Sequence, residues 1–286
     1  MINLNKITTA PNLTFDLMIG GPEDGPEVLL LHGFAESFHM WRSQIPALAA
    51  VGYRAVAPSQ RGYSPGARPD TRDPANYSFD HLVDDAMSIA DACGHARGRL
   101  HVVGHDWGGS IAWGIADRYP ERIASLTILS RPHPNAFNQA LAAPDGEQKR
   151  RSSHHWWFLE ADASARILAD DARWLRQRLK ANKVPEAAIA EHLAVLGNRD
   201  TMEAALTWYR ARGAIRAPIG AIKVPTLYIW GDADDTVGRM AAEGTRGFVA
   251  APYQFVELPG VGHFAADQAP DQVTRLLLAH LAAHPA

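Results

Sequence analysis

The sequence predicts an α/β fold: a mostly parallel, doubly wound sheet that carries one inserted block of helices. Short apolar runs of strand length alternate with helical periods along most of the chain. The alternation stops once, for a long stretch of purely helical character, and single reactive residues stand just past several of the apolar runs. Continuous apolar runs bounded by Gly, Pro or polar residues read as strands buried on both faces of a parallel sheet.

Taken in order, two β-like segments open the chain at 3–7 and 13–19, separated by Pro11. Strand-like runs follow at 28–31, 53–57, 100–103, 126–129, 226–230 and 254–258, with helical periods at 40–50, 79–93, 110–118, 241–249 and 271–281. Strand and helix in rotation give a doubly wound sheet. Between about Pro132 and Pro218 the pattern holds only helical stretches, at 161–180, 185–196 and 201–212, rich in Ala, Leu, Arg and Glu. Pro185 falls where the first turn of a helix tolerates proline. The expected organisation is therefore a core at 1–131 and 219–286, interrupted by a helical cap at 132–218. No internal repeat or low-complexity linker divides the chain further.

The composition excludes several classes of function. At 286 residues with net charge −3, the chain lacks the basic balance expected of a nucleic-acid or anionic-membrane binder. No apolar run reaches the roughly eighteen residues of a spanning helix, and the opening residues show no leader signature. One cysteine, Cys93, excludes an intrachain disulfide. It falls in an amphipathic pattern with no local base to activate it, and reads as a small buried apolar residue in a reducing, cytoplasmic setting. None of the 13 histidines falls in a metal-ligand spacing, so no metal is expected.

In open α/β sheets the reactive groups stand at the carboxyl ends of strands. Past the run at 100–103 comes Gly104-His105-Asp106-Trp107-Gly108-Gly109, a nucleophile elbow with aspartate at its centre. The glycines admit a strand-to-helix turn too tight for Cβ atoms. The turn would aim Asp106 into a cleft near the positive end of the next helix. Past 226–230 comes Gly231-Asp232-Ala233-Asp234-Asp235, and past 254–258 comes Gly260-Val261-Gly262-His263. Nucleophile, acid and histidine thus follow in the chain order of the elbow enzymes. Past 28–31, His32-Gly33-Phe34 forms a turn able to present the Phe34 N–H to an oxyanion.

These motifs closely resemble the α/β-hydrolase superfamily, and within it the epoxide hydrolase and haloalkane dehalogenase branch. The resemblance runs from about Leu13 to His280. Its anchors are His32-Gly33-Phe34, Gln60-Arg61-Gly62-Tyr63-Ser64, the Asp106 elbow, Gly231-x-x-Asp234 and Gly262-His263. The family pattern selects Asp234 as the acid over Asp232 and Asp235. Where relatives carry proline after the oxyanion-hole phenylalanine, this chain has Ala35.

An aspartate nucleophile has a chemical consequence. Attack on an acyl carbon would give an anhydride, whereas attack on saturated carbon gives an ester that water can hydrolyse. Epoxide opening or halide expulsion is therefore implied. His263, oriented by Asp234, would activate the water, the N–H groups of Phe34 and Trp107 would hold the oxyanion, and no cofactor is needed.

The leaving group separates the two chemistries, since a halide needs no proton and an epoxide oxygen does. Thr207-Trp208-Tyr209-Arg210 resembles the epoxide hydrolases' motif whose tyrosine donates to the epoxide oxygen. Their second donor corresponds best to His155 in His154-His155-Trp156-Trp157-Phe158, with His154 as the neighbouring possibility. Trp156 and Trp107 are candidate pocket residues, together with Phe34. His155, Trp156 and Tyr209 also resemble the halide pocket of fluoroacetate dehalogenases. Those enzymes hold the substrate carboxylate with arginines where this chain has Trp107 and Ser110, which disfavours haloacids.

The resemblance implies an epoxide hydrolase acting on a small molecule. A haloalkane dehalogenase and, from another class, a non-catalytic receptor of the same fold stay open. Neither the oligomeric state nor the substrate's identity is legible.

Overall fold

The computed structural model describes residues 2–95, 98–214 and 218–286. Its eight strands are β1 (Ile2–Ala10), β2 (Leu13–Gly20), β3 (Glu27–Leu31), β4 (Arg54–Pro58), β5 (Leu100–His105), β6 (Ile123–Leu129), β7 (Thr226–Gly231) and β8 (Tyr253–Leu258). They form one sheet in the order β1-β2-β4-β3-β5-β6-β7-β8. Pro11 and Asn12, the latter at φ 63, turn β1 back onto β2, and β2 also runs antiparallel to β4. From β4 onward every pairing is parallel. The order reverses beside β3 and β5, and at such a switch point helices leave on opposite faces and open a crevice at the strand ends.

Burial follows the position of each strand. β3, β5, β6 and β7 are buried at every residue, as the continuous apolar runs require, while the edge strand β1 is largely exposed. Helices α1 (Gln44–Ala50) and α12 (Pro270–Ala283) pack on one face, where Leu48 and Leu277 join a cluster with Met18, Val28, Leu30 and Trp41. Helices α2 (Phe79–Ala90) and α3 (Trp107–Arg118) cover the other, over Leu29, Leu31, Val102 and Ile128.

Between β6 and β7 the described residues form helices and one isolated bridge at Ile222. The helices are α4 (Pro134–Ala142), α5 (Glu147–Arg151), α6 (His154–Trp157), α7 (Ala163–Ala181), α8 (Glu186–Leu196) and α9 (Arg199–Arg210). Residues 215–217, within the expected span of the cap, lie outside the described residues. After β7 come α10 (Arg239–Gly244) and α11 (Ala265–Gln268).

Four helical expectations are corrected. The period at 40–50 divides into a 3-10 turn at Phe38–Trp41 and α1, whose first turn accommodates Pro46. The period at 79–93 ends at Ala90, followed by a wider turn in which Gly94 takes φ 107. Helix α7 is interrupted at Ala169–Ala172, where Asp170, Asp171 and Ala172 all have positive φ. Pro185 stands just before α8 rather than inside it.

Candidate active site

The strand ends converge as their sequence implied. Asp106 sits between β5 and α3 with φ 48 and ψ −115, a conformation that costs a non-glycine residue about 1–3 kcal/mol and survives only where surrounding structure enforces it. The enforcement is visible at the flanking glycines. A Cβ on Gly104 would stand 2.3 Å from the Gly108 carbonyl oxygen, and one on Gly108 would stand 2.2 Å from that of Leu31. With neither Cβ present, β5 and α3 close tightly and the Asp106 carboxylate projects into the crevice.

The Phe34 N–H donates to Asp106 Oδ1 at 3.1 Å, and Asp106 Oδ2 lies 3.8 Å from His263 Nε2. Ala35, in the place of the relatives' proline, takes φ 72. Trp107 is the first residue of α3, so its N–H has no acceptor within the helix. Burial alone would raise the Asp106 carboxyl. His263, His105, the Arg131 guanidinium and the Phe34 N–H outweigh burial and hold it well below the usual carboxylate range. The carboxylate is ionised at any physiological pH.

On its other side, His263 Nδ1 lies 3.1 Å from both oxygens of Asp234. Asp234 is fully buried, and its Oδ1 accepts the N–H groups of Thr236 at 2.7 Å and Val237 at 2.9 Å. Neighbouring Asp232 accepts the Gly260 N–H, and Asp235 faces Arg178 and Asn182. Of the three aspartates, the chain geometry brings Asp234 to the imidazole.

Two partners of this pair were not anticipated. Ser130, at φ 58 just past β6, donates from Oγ to Asp234 Oδ2 and lies 2.8 Å from His263 Nδ1. Asn182 Oδ1 accepts the His263 N–H at 3.1 Å. The rule that points to Asp106, to look just past each strand, also points to Ser130. No comparable signal marks Asn182, which arrives from the end of α7.

The helices between β6 and β7 roof the nucleophile. Tyr209 on α9 packs edge-to-face on Phe34 at 5.6 Å, Trp107 at 5.2 Å and Phe158 at 5.1 Å between ring centroids. It lines a narrow cavity with Asp106, His154, Phe158 and His263. Burial and the nearby Asp106 carboxylate push its phenol well above the ordinary range, so it stays protonated.

Within the one-turn helix α6, successive side chains point about 100° apart. That rotation separates the neighbours: His154 lines the cavity at Asp106, whereas His155 packs on the Tyr209 ring, 5.5 Å between centroids, at the wall of a second pocket. His155 Nδ1 accepts from Arg212 at 2.8 Å in a wider pocket of about 500 Å3. Burial holds His154 down to about 4; burial and Arg212 hold His155 lower still, so both imidazoles are neutral. Trp156, expected in the substrate pocket, is 69% exposed and lines only the outer pocket.

Comparison with known proteins agrees with this architecture. The family model for the alpha/beta hydrolase fold matches residues 26–270. The chain is 28% identical over 275 residues to AB hydrolase superfamily protein YfhM of Bacillus subtilis, covering 94% of each. It is 28% identical over 302 residues to Epoxide hydrolase A of Mycobacterium tuberculosis, covering 91% of this chain and 92% of that one. Among solved structures, an epoxide hydrolase from metagenomes of hot environments superposes with a TM-score of 0.85 at 29% identity, covering 99% of this chain and 100% of that one.

Proposed function

This chain belongs to the α/β-hydrolase fold family, and we propose that it hydrolyses epoxides to diols through a covalent ester on Asp106. The observation that carries the reading is the placement of the Asp106 carboxylate. One oxygen rests on a backbone N–H, the other faces an Asp234-held imidazole, and a protonated tyrosine roofs the site. The names of similar proteins, Epoxide hydrolase A among them, support the same chemistry.

Asp106 Oδ2 attacks an oxirane carbon, the carbon–oxygen bond breaks, and Tyr209 passes its proton to the departing oxygen, assisted by a hydrogen bond from His154. Oδ1 stays in the hole formed by the Phe34 and Trp107 N–H groups and becomes the ester carbonyl oxygen. His263 Nε2 then takes a proton from water, and the resulting hydroxide adds to that carbonyl. Asp234 stabilises the imidazolium, which returns its proton to the departing alkoxide as the oxyanion collapses; the diol leaves, and the carboxyl proton left on Asp106 restores the Tyr209 phenol. The two proton carriers, Tyr209 and His263, act in different half-reactions.

The test uses that separation. His263→Gln retains the nucleophile but lacks the base, so incubation with styrene oxide should trap the ester. Intact mass should rise by the whole epoxide, and peptide mapping should place the adduct on Asp106. An adduct formed only with an alkyl bromide, having lost its halogen, would reassign the enzyme as a dehalogenase. No adduct with either reagent, in a folded variant, would favour a non-catalytic receptor.

A further inference from the structure

Against Trp107, and lined by neither Asp106 nor His263, lies a cavity of about 310 Å3 that the mechanism above does not use. Its walls are mainly apolar, including Phe79, Phe137 and Trp208, yet two guanidinium groups, Arg131 and Arg212, face into it. Arg131 follows Ser130 at the end of β6, with its guanidinium carbon 4.5 Å from the centroid of the Phe137 ring and its Nε buried without a hydrogen-bond partner. Arg212 lies over the rings of Trp107 and Tyr209, 4.9 Å from each centroid. Among the described residues neither arginine has a carboxylate within ion-pair distance. Ser110 completes the group: it is 6% exposed, lines the same cavity, and its Oγ has no partner.

Two half-buried cations and a buried hydroxyl without an anion are costly where water is largely excluded. Burial and the proximity of Arg131 draw the Arg212 guanidinium down to about 10, so it remains charged at neutral pH. The Asp106 carboxylate offsets part of this charge, but forming the ester consumes that negative charge. A substrate bringing its own anion would keep the arginines compensated throughout turnover. The requirement matches a carboxylate, whose two oxygens accept parallel bonds from a guanidinium.

We propose that Arg131, Arg212 and Ser110 form a carboxylate subsite, and that the substrate is an epoxide carrying a carboxylate at its far end, an inference whose second half rests on the epoxide reading. Positions 107 and 110, matching the arginines of fluoroacetate dehalogenases, hold Trp107 and Ser110 here. The fold brings arginines to the same region from the end of β6 and from just past α9.

Calorimetric titration with phenylacetate and phenylacetamide tests the subsite without turnover. The acid should bind about tenfold or more tightly than the amide, with the advantage shrinking at high salt. Arg131→Met, Arg212→Gln and Ser110→Ala should each reduce it, and Arg212→Gln decides if the more buried Arg131 variant does not fold. Equal binding of acid and amide, or an acid preference untouched in the folded variants, would overturn the subsite.

Turnover of an ω-epoxyalkanoate series against the matching methyl esters then separates the two claims. Higher kcat/KM for the acids supports both. Equal turnover of acids and esters with no acid binding removes the subsite and leaves the hydrolase. Arginine-dependent acid binding with no epoxide opened removes the hydrolase and leaves the subsite.

Discussion

Tyr209 and His154 are the residues at which the epoxide reading is most exposed to test. Tyr209→Phe keeps the ring contacts with Phe34, Trp107 and Phe158 and removes the proton. Epoxide opening should slow by roughly 10²-fold, the range for a lost general acid, with little change in KM. An alkyl bromide, whose leaving group needs no proton, should be much less affected if the enzyme accepts it. Equal losses on both substrates would make Tyr209 a packing residue. His154→Phe should slow epoxide opening by about tenfold, more than His155→Phe, because His154 faces Asp106 whereas His155 is turned to Arg212. The reverse order would restore His155 as the second donor. The resemblance favoured His155 with His154 as the neighbouring possibility, and the order of the two depends on where a one-turn helix begins.

At the scale of elements, the parts legible in the sequence are those fixed by local constraints. The strand runs were visible because β3, β5, β6 and β7 are buried on both faces and so are apolar throughout. The elbow was visible because its turn tolerates only glycine at two positions. The short helices α4, α5 and α6 were not, because four to nine residues hold too few turns to display a period. Nor was the break in α7, where alanine and aspartate occupy positive-φ positions that glycine ordinarily marks. Arg131 and Arg212 were equally invisible as a pair, since only the packing of α9 over the end of β6 brings them to one cavity. The glycine argument can be checked at the elbow itself. Gly108→Ala should cost about 3 kcal/mol, lowering Tm by about 6–12 °C, because the added methyl meets backbone atoms of β3 that cannot rotate away. Gly247→Ala, whose Cβ would meet nothing within 4 Å, is the control. Similar Tm values for the two variants would mean the elbow packs more loosely than these contacts imply.

Across the whole molecule, a buried chain of titratable groups runs from the elbow to helices α8 and α11. His105 precedes the nucleophile; its Nε2 meets the His263 carbonyl at 2.9 Å, and its Nδ1 lies 3.0 Å from Glu36. Behind Glu36, His192 bonds Asp267 at 2.7 Å, and Arg42 closes the cluster on Asp267. The spacing of these residues in sequence gave no hint of the cluster, which joins four separate segments. It has a consequence for stability. Burial pushes the His105 imidazole down, but Glu36, together with Asp106 and the His263 carbonyl, outweighs burial and raises it from 6.5 to about 9. A histidine whose folded value is raised stabilises the protein fully below its unfolded value, near 6.5, and loses that contribution as pH climbs through about 9. The amount at stake is on the order of 3 kcal/mol. Wild-type Tm should therefore fall between pH 6.5 and pH 9.5 by more than that of Glu36→Gln, in which His105 no longer faces a carboxylate. The variant should be the less stable protein at pH 6.5, and the two should converge at the alkaline end. Parallel Tm profiles across that window would show that the proton on His105 does not hold the elbow to the segment after β3.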